Sequence, residues 1–170
     1  MRIITGMQRG ADRGSADAAM ACGLDVFGYV PRGRLAEDGR IPSKYECIEL
    51  PSSDYSARTK ANVLAAHATL VFTRGAEAGT GSRLTMAYCR ENMRPFKHVD
   101  LSVLHGPAPA THREHLVMNI GEWFQLVEEI FLEHKPVVVN IAGSRESKAP
   151  GIQKEVQSLL EEVFRGYRIK

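Results

Sequence analysis

The sequence predicts an α/β fold with a mostly parallel sheet, and two observations carry that prediction. Short apolar runs alternate with stretches of helical spacing along the chain. Three of these runs also end in a glycine-rich, arginine-bearing loop that leads into a helix. Arg2 to Thr5 precedes Gly6–Gly14, Ala68 to Thr73 precedes Arg74–Ser82, and Val137 to Ala142 precedes Gly143–Gly151. In an open α/β sheet, ligands settle outside the carboxyl ends of the strands. Helix N-termini there present unpaired N–H groups and partial positive charge to anions.

The elements follow in order. After the first loop, Ser15 to Cys22 reads as an alanine-rich helix closed by Gly23 at a C-terminal capping position. Val26 to Val30 is the next strand. The stretch from Pro31 to Tyr45 has no clear period, and a long irregular segment inside a compact fold is usually functional or mobile. Cys47 to Leu50 is a short strand. Ser53 or Asp54 caps a helix running to about His67, with Ala57, Ala61, Leu64 and Ala68 at helical spacing.

Thr80 or Ser82 caps the next helix, whose shared side holds Leu84, Ala87, Tyr88 and Glu91, three of them core-facing. Pro95 to Leu101 reads as a strand, and Gly106 to Pro109 as a surface connection. Asn119 with Glu122 has the spacing of a capping box, so a helix is expected after it, with Trp123, Val127, Ile130 and Phe131 on one stripe. The last helix starts near Ile152 and carries Val156, Leu159, Leu160 and Val163 in the same manner.

The whole-chain numbers narrow the classes. The 170 residues predict one domain, residues 1–170, able to bury a core without disulfide staples. Hydrophobic content of 44% and charged content of 25% are those of an ordinary globular protein. A net charge of +2 gives a nucleic-acid partner no support. The apolar runs are too short for a membrane span, and the N-terminus opens on a strand pattern without a leader. Cys22, Cys47 and Cys89 lack metal-ligand spacing and read as reduced thiols, so a cytoplasmic location is expected.

The three loops supply the candidate site. Gly6, Gln8, Arg9, Gly10, Asp12 and Arg13 form the first; its spacing is neither the dinucleotide fingerprint nor a P-loop. Two guanidinium groups beside one helix start call for an anion or a carboxylate, and Asp12 is one available partner. The second loop is the strongest signal: Gly79, Thr80, Gly81 and Ser82 offer bare amides and two hydroxyls, with Arg74 and Gly75 before them and Arg83 after. Gly143, Ser144, Arg145, Glu146 and Lys148 repeat the arrangement at the final helix, where Pro150 suits a first turn.

Between these loops, Arg32 is a candidate anion contact on a lid, with Glu37 or Asp38 holding a ribose or base edge. A solvated loop whose charges pair with one another is the alternative. Asp12, Asp38, Glu77 and Glu146 are the acidic residues available to a general base, each with an arginine nearby. No Ser-His-Asp order appears, and His112 with His115 makes no metal site.

Taken together, Thr5 to Arg13, Pro31 to Gly39, Val71 to Gly75 and Asn140 to Lys148 resemble the putative molybdenum carrier family. That family is also described as the circularly permuted YpsA-like branch of the SLOG superfamily. The resemblance covers nearly the whole chain and is weakest between Leu101 and Gly121. It implies a Rossmann-like three-layer sandwich, a mostly parallel sheet flanked by helices. It further implies a nucleotide- or pterin-type ligand in phosphate-binding loops: molybdenum cofactor, molybdate or a nucleotide. Related folds often assemble as homo-oligomers.

Some SLOG relatives are phosphoribohydrolases whose signature P-G-G-x-G-T-x-x-E ends in a catalytic glutamate. The nearest stretch here, Glu77 to Thr85, has Thr85 in that place, and a threonine cannot do a carboxylate's proton transfer at neutral pH. The expectation is therefore a binding or carrier protein for a small anionic ligand, with a nucleotide hydrolase as the alternative.

Overall fold

The computed structural model describes residues 1–75 and 79–167. Eight strands and five α-helices are present among them. In chain order they are β1 (Arg2–Ile4), α1 (Ala11–Ala21), β2 (Asp25–Val30), β3 (Leu35–Ala36), β4 (Gly39–Arg40), β5 (Cys47–Glu49) and α2 (Tyr55–Leu64). Then come β6 (Ala68–Thr73), α3 (Thr80–Glu91), β7 (Phe96–Asp100), a 3₁₀ turn at Leu101–His105, α4 (Pro109–Ile130), β8 (Val138–Gly143) and α5 (Ile152–Gly166).

Six strands form one parallel sheet in the order β5-β2-β1-β8-β6-β7. The last strand in sequence thus lies in the middle, with Asn140 in register with Ile4 on one side and Thr69 on the other. This is the expected α/β layering. All six residues of β6 are buried, as a parallel strand covered on both faces requires. Its side chains alternate between the faces: Leu70 and Phe72 join Ile120, Phe124, Leu159 and Val163 from α4 and α5, whereas Val71 meets Met86 of α3. Helices α1, α4 and α5 pack together on one side, and α2 with α3 on the other.

The α5 stripe is core as the spacing predicts: Val156, Leu159, Leu160 and Val163 are all fully buried. Each contributes roughly 1.5–3 kcal/mol on leaving water.

Four helix readings need correction. Helix α1 begins at Ala11, not Ser15, because the Ala11 amide donates to the Ser144 carbonyl at 3.0 Å and starts the helix early. Asp12, Arg13 and Gly14 therefore belong to its first turn. Helix α2 buries Arg58, Thr59, Asn62 and Val63, leaving Ala57 and Ala61 half-buried and Leu64 exposed. The polar face turns inward because Asn62 binds both the amide and the carbonyl of Tyr29 in β2. Asp54, one of the two expected caps, accepts from the Ser56 amide.

Helix α3 starts at Gly79 with no side-chain cap, so neither Thr80 nor Ser82 caps it. Its buried face is Ser82, Thr85, Met86 and Cys89; Leu84, Ala87 and Tyr88 are only half-buried. Helix α4 begins at Pro109, whose fixed φ suits a first helical position, so Asn119 and Glu122 lie mid-helix. There Val127 is buried and Trp123 half-buried, but Ile130 is 61% exposed.

The irregular stretch after β2 is a small antiparallel hairpin, β3–β4, strapped over two loops. The Gln8 Nε2 donates to the Leu35 carbonyl, Arg13 grips Asp38 with both terminal nitrogens, and Ser147 donates its amide and hydroxyl to Glu37. Among the described residues, no helix is long and apolar enough to cross a membrane. The three cysteines form no disulfide.

Candidate functional site

At the C-terminal ends of β1, β6 and β8 the chain leaves a cleft of about 650 Å³. All three sequence loops reach it. Gln8 and Asp12 come from the first, Arg74 and Gly79 to Ser82 from the second, and Gly143, Ser144, Arg145 and Lys148 from the third. The first and third loops are held against each other by an antiparallel bridge between Gly10 and Arg145, with the Glu146 amide donating to the Arg9 carbonyl at 3.0 Å. Gly10 is required there. Its φ of +119° is rarely open to other residues, and an added Cβ would press on the backbone of Ser144 and Glu146.

The floor is a buried ion pair. Arg58 Nη1 stands 3.2 Å from Asp12 Oδ2, with the two side chains 10% and 5% exposed. Arg58 lies directly over Gly6, whose missing Cβ makes room for the guanidinium. Burial works against both charges: it raises Asp12 above the usual aspartate range and lowers Arg58, each opposed by its partner. A second guanidinium, Arg145, sits 5.0 Å from the centre of the Tyr55 ring. Arg58 is 6.0 Å from the same ring. Neither Tyr55 nor Arg58 stands out in the sequence, because their segment carries no glycine loop. The pointer available there is positional: a helix start that follows a strand of the same parallel sheet.

The helix starts around the cleft differ in what their amides hold. At α1, the Gly10 and Ala11 amides are engaged by Gln153 and Ser144. At α5, Glu146 accepts from the Gly151 and Gln153 amides. At α2, Asp54 does the same for Ser56. Of these four, α3 alone has none of its first-turn amides (Thr80, Gly81, Ser82) partnered among the described residues. Ser82 is 3% exposed, and its hydroxyl likewise has none there. Gly79 and Gly81 have open space where a Cβ would project.

The same cleft is lined by Arg83, Arg145 and Lys148, none in an ion pair among the described residues. The third arginine of the rim, Arg74, is engaged: Nη1 donates to the Pro150 carbonyl and Nη2 to Glu155, 2.8 Å away.

Several sequence candidates stand outside the cleft. Arg9 faces a separate shallow depression beside Lys154 and Gln157. Arg13 is buried against Asp38 and Tyr45. Arg32 is exposed, its amide bound to Ser52. The Gly75 amide holds Asp100, and Glu146 caps α5. The lid reading is also corrected: Glu37 and Asp38 fasten the hairpin to Ser147 and Arg13 instead of facing a ligand. Of the acidic candidates, Asp12 and Asp38 are in ion pairs, and Glu77 lies outside the described residues. Thr85 Oγ1 donates to the Gly81 carbonyl.

Comparison with known proteins agrees with this architecture. The model of the Circularly permutated YpsA SLOG family matches residues 3–164. No curated protein matches the chain. A crystal structure of a putative molybdenum carrier protein from Syntrophus aciditrophicus SB is 37% identical. It superposes with a TM-score of 0.75 over 95% of this chain and 93% of its own.

Proposed function

The chain belongs to the circularly permutated YpsA SLOG family, and on that premise we propose that it binds and carries a phosphorylated small molecule. One observation carries the reading: the open N-terminus of α3, with Ser82 beside it, in a cleft that Arg83, Arg145 and Lys148 also line. Unpartnered amides at a helix start and cations without carboxylates together favour a tetrahedral anion.

Size favours a larger molecule over a bare oxyanion. A cleft of about 650 Å³ falls in the range of about 300–1,000 Å³ that holds organic ligands. A nucleotide, or the phosphorylated pterin of molybdenum cofactor, fills such a space; molybdate alone does not. The relative's description as a putative molybdenum carrier fits a cargo of the second kind. Hydrolysis is less well supported, because Asp12 is the sole carboxylate among the described lining residues and Arg58 already holds it.

The experiment is a titration of nucleoside monophosphates, a pterin phosphate, molybdate and inorganic phosphate into wild-type protein and Gly79→Val. Gly79 has φ −60° and ψ 165°, a conformation that valine adopts freely. The variant should fold and lose affinity at least tenfold, roughly what one blocked charged contact costs. No binding by wild type, or equal binding by the variant, overturns the reading.

A further inference from the structure

The phosphate reading leaves the inner wall of the cleft unassigned, and that wall has hydrogen-bonding groups without partners. Gln8 Nε2 donates to the Leu35 carbonyl at 3.0 Å, which fixes the amide; turning it over would set two oxygens against each other. Gln8 Oε1 is therefore an acceptor, buried and with no partner. Asp12 Oδ2 accepts from both the Arg58 guanidinium and the Gln8 backbone N–H, while Oδ1 accepts nothing among the described residues. Gln8 and Asp12 are 3% and 4% exposed. Beside them, Arg58 Nε is a buried donor without an acceptor.

Buried polar groups are nearly always paired, so Gln8 Oε1 and Arg58 Nε, orphaned on residues that line the cleft with Asp12, ask for a ligand that completes them. With Asp12 Oδ1, which accepts no hydrogen bond among the described residues, the set is two acceptors and one donor. Its complement is a ring edge with two N–H donors beside a carbonyl oxygen.

We propose that Gln8, Asp12 and Arg58 form the heterocycle subsite and select a 2-amino-oxo edge, the pattern that guanine and pterins share. An adenine ring offers one amino donor next to a ring-nitrogen acceptor, which would face an acceptor of the protein unpaired. A site built to hydrogen-bond a ring edge rejects an analogue lacking the matching groups. This inference rests on the phosphate reading, since the same ligand must span both ends of the cleft.

Calorimetric titration of the full chain with guanosine monophosphate, neopterin monophosphate, adenosine monophosphate and inorganic phosphate tests it. At least one 2-amino-oxo ligand should bind about tenfold or more tightly than adenosine monophosphate, as one bidentate base contact gives. The tighter of the two identifies the ring. Gln8→Leu should collapse that ratio to within about threefold, removing one acceptor of the pair. Asp12→Asn should do the same, and if it fails to fold, Gln8→Leu decides. Equal affinity for all three ring ligands, or a preference that survives Gln8→Leu, overturns the subsite but leaves the phosphate reading standing. No binding of any phosphorylated compound overturns both.

Discussion

Arg58 of α2 reaches across to Asp12 at the start of α1 and pairs with it at 3.2 Å beneath the cleft, both side chains nearly inaccessible. The pair ties the helix on one face of the sheet to the helix on the other. Removing one partner of a buried pair leaves the other charged without compensation, a larger loss than the pair's own net worth. Arg58→Met should therefore destabilise the fold by about 3–5 kcal/mol. Urea denaturation of the purified variant measures this, and a loss near zero would mean that Asp12 is not held charged.

The hairpin strap responds to acid through Asp38. The Arg13 hydrogen bonds, above all other causes, hold its carboxyl below the ordinary aspartate range. A depressed acid stabilises the fold above its unfolded value, near pH 4, and that contribution is lost as pH falls through the folded value. Asp38 is partly exposed, so the effect is about 1 kcal/mol. Melting temperatures between pH 6 and pH 2 should fall less steeply for Asp38→Asn than for wild type. Parallel curves would show that the strap contributes nothing.

Two glycines of the loops should respond oppositely to the same substitution. Gly10→Ala places a Cβ at φ +119° and against the backbone of the third loop, so about 2 kcal/mol or more is lost. Gly79→Ala meets no described neighbour and should stay within about 0.5 kcal/mol of wild type. Chemical denaturation of the two variants side by side is sufficient; equal losses would contradict the open cradle at α3.

Neighbours in sequence, Arg145 and Glu146, should separate binding from stability. Glu146 caps α5 through two amides, and Glu146→Ala should cost about 1 kcal/mol, the usual loss of a cap. Arg145 makes no ion pair among the described residues and lines the cleft. Arg145→Ala should keep its melting temperature while phosphate-ligand affinity falls about tenfold, the loss of one charge-assisted contact. Its residual binding should also depend less on salt. The reverse pattern would move the anion away from this loop.

The fold class was readable because periodicity reports burial. Strand β6 carries no charge and is buried along its whole length since both faces are covered, and α5 repeats at helical spacing since one face is. The failures share a cause. In α2 and α3 the buried faces carry Arg58, Asn62, Ser82 and Thr85, so a search for apolar stripes selects the wrong side. Those polar faces are inward because they meet a strand backbone or the cleft. The three-loop site was legible in outline, as glycine and arginine mark where backbone approaches an anion. Which arginine is available was not. Arg13 and Arg74 are held in ion pairs by Asp38 and Glu155, as Arg145 is not among the described residues, and those partners come from distant parts of the chain.

The central place of β8 has a consequence for how the protein is made. On a ribosome, β1 and β2 emerge early and β6 and β7 later, yet the two groups share no ladder until residues 138–143 arrive to lie between Ile4 and Thr69. Until then each group presents an unpaired strand edge, the kind that recruits foreign chains. The stretch of translation between β7 and β8 is thus the interval in which both edges lie open to a wrong partner.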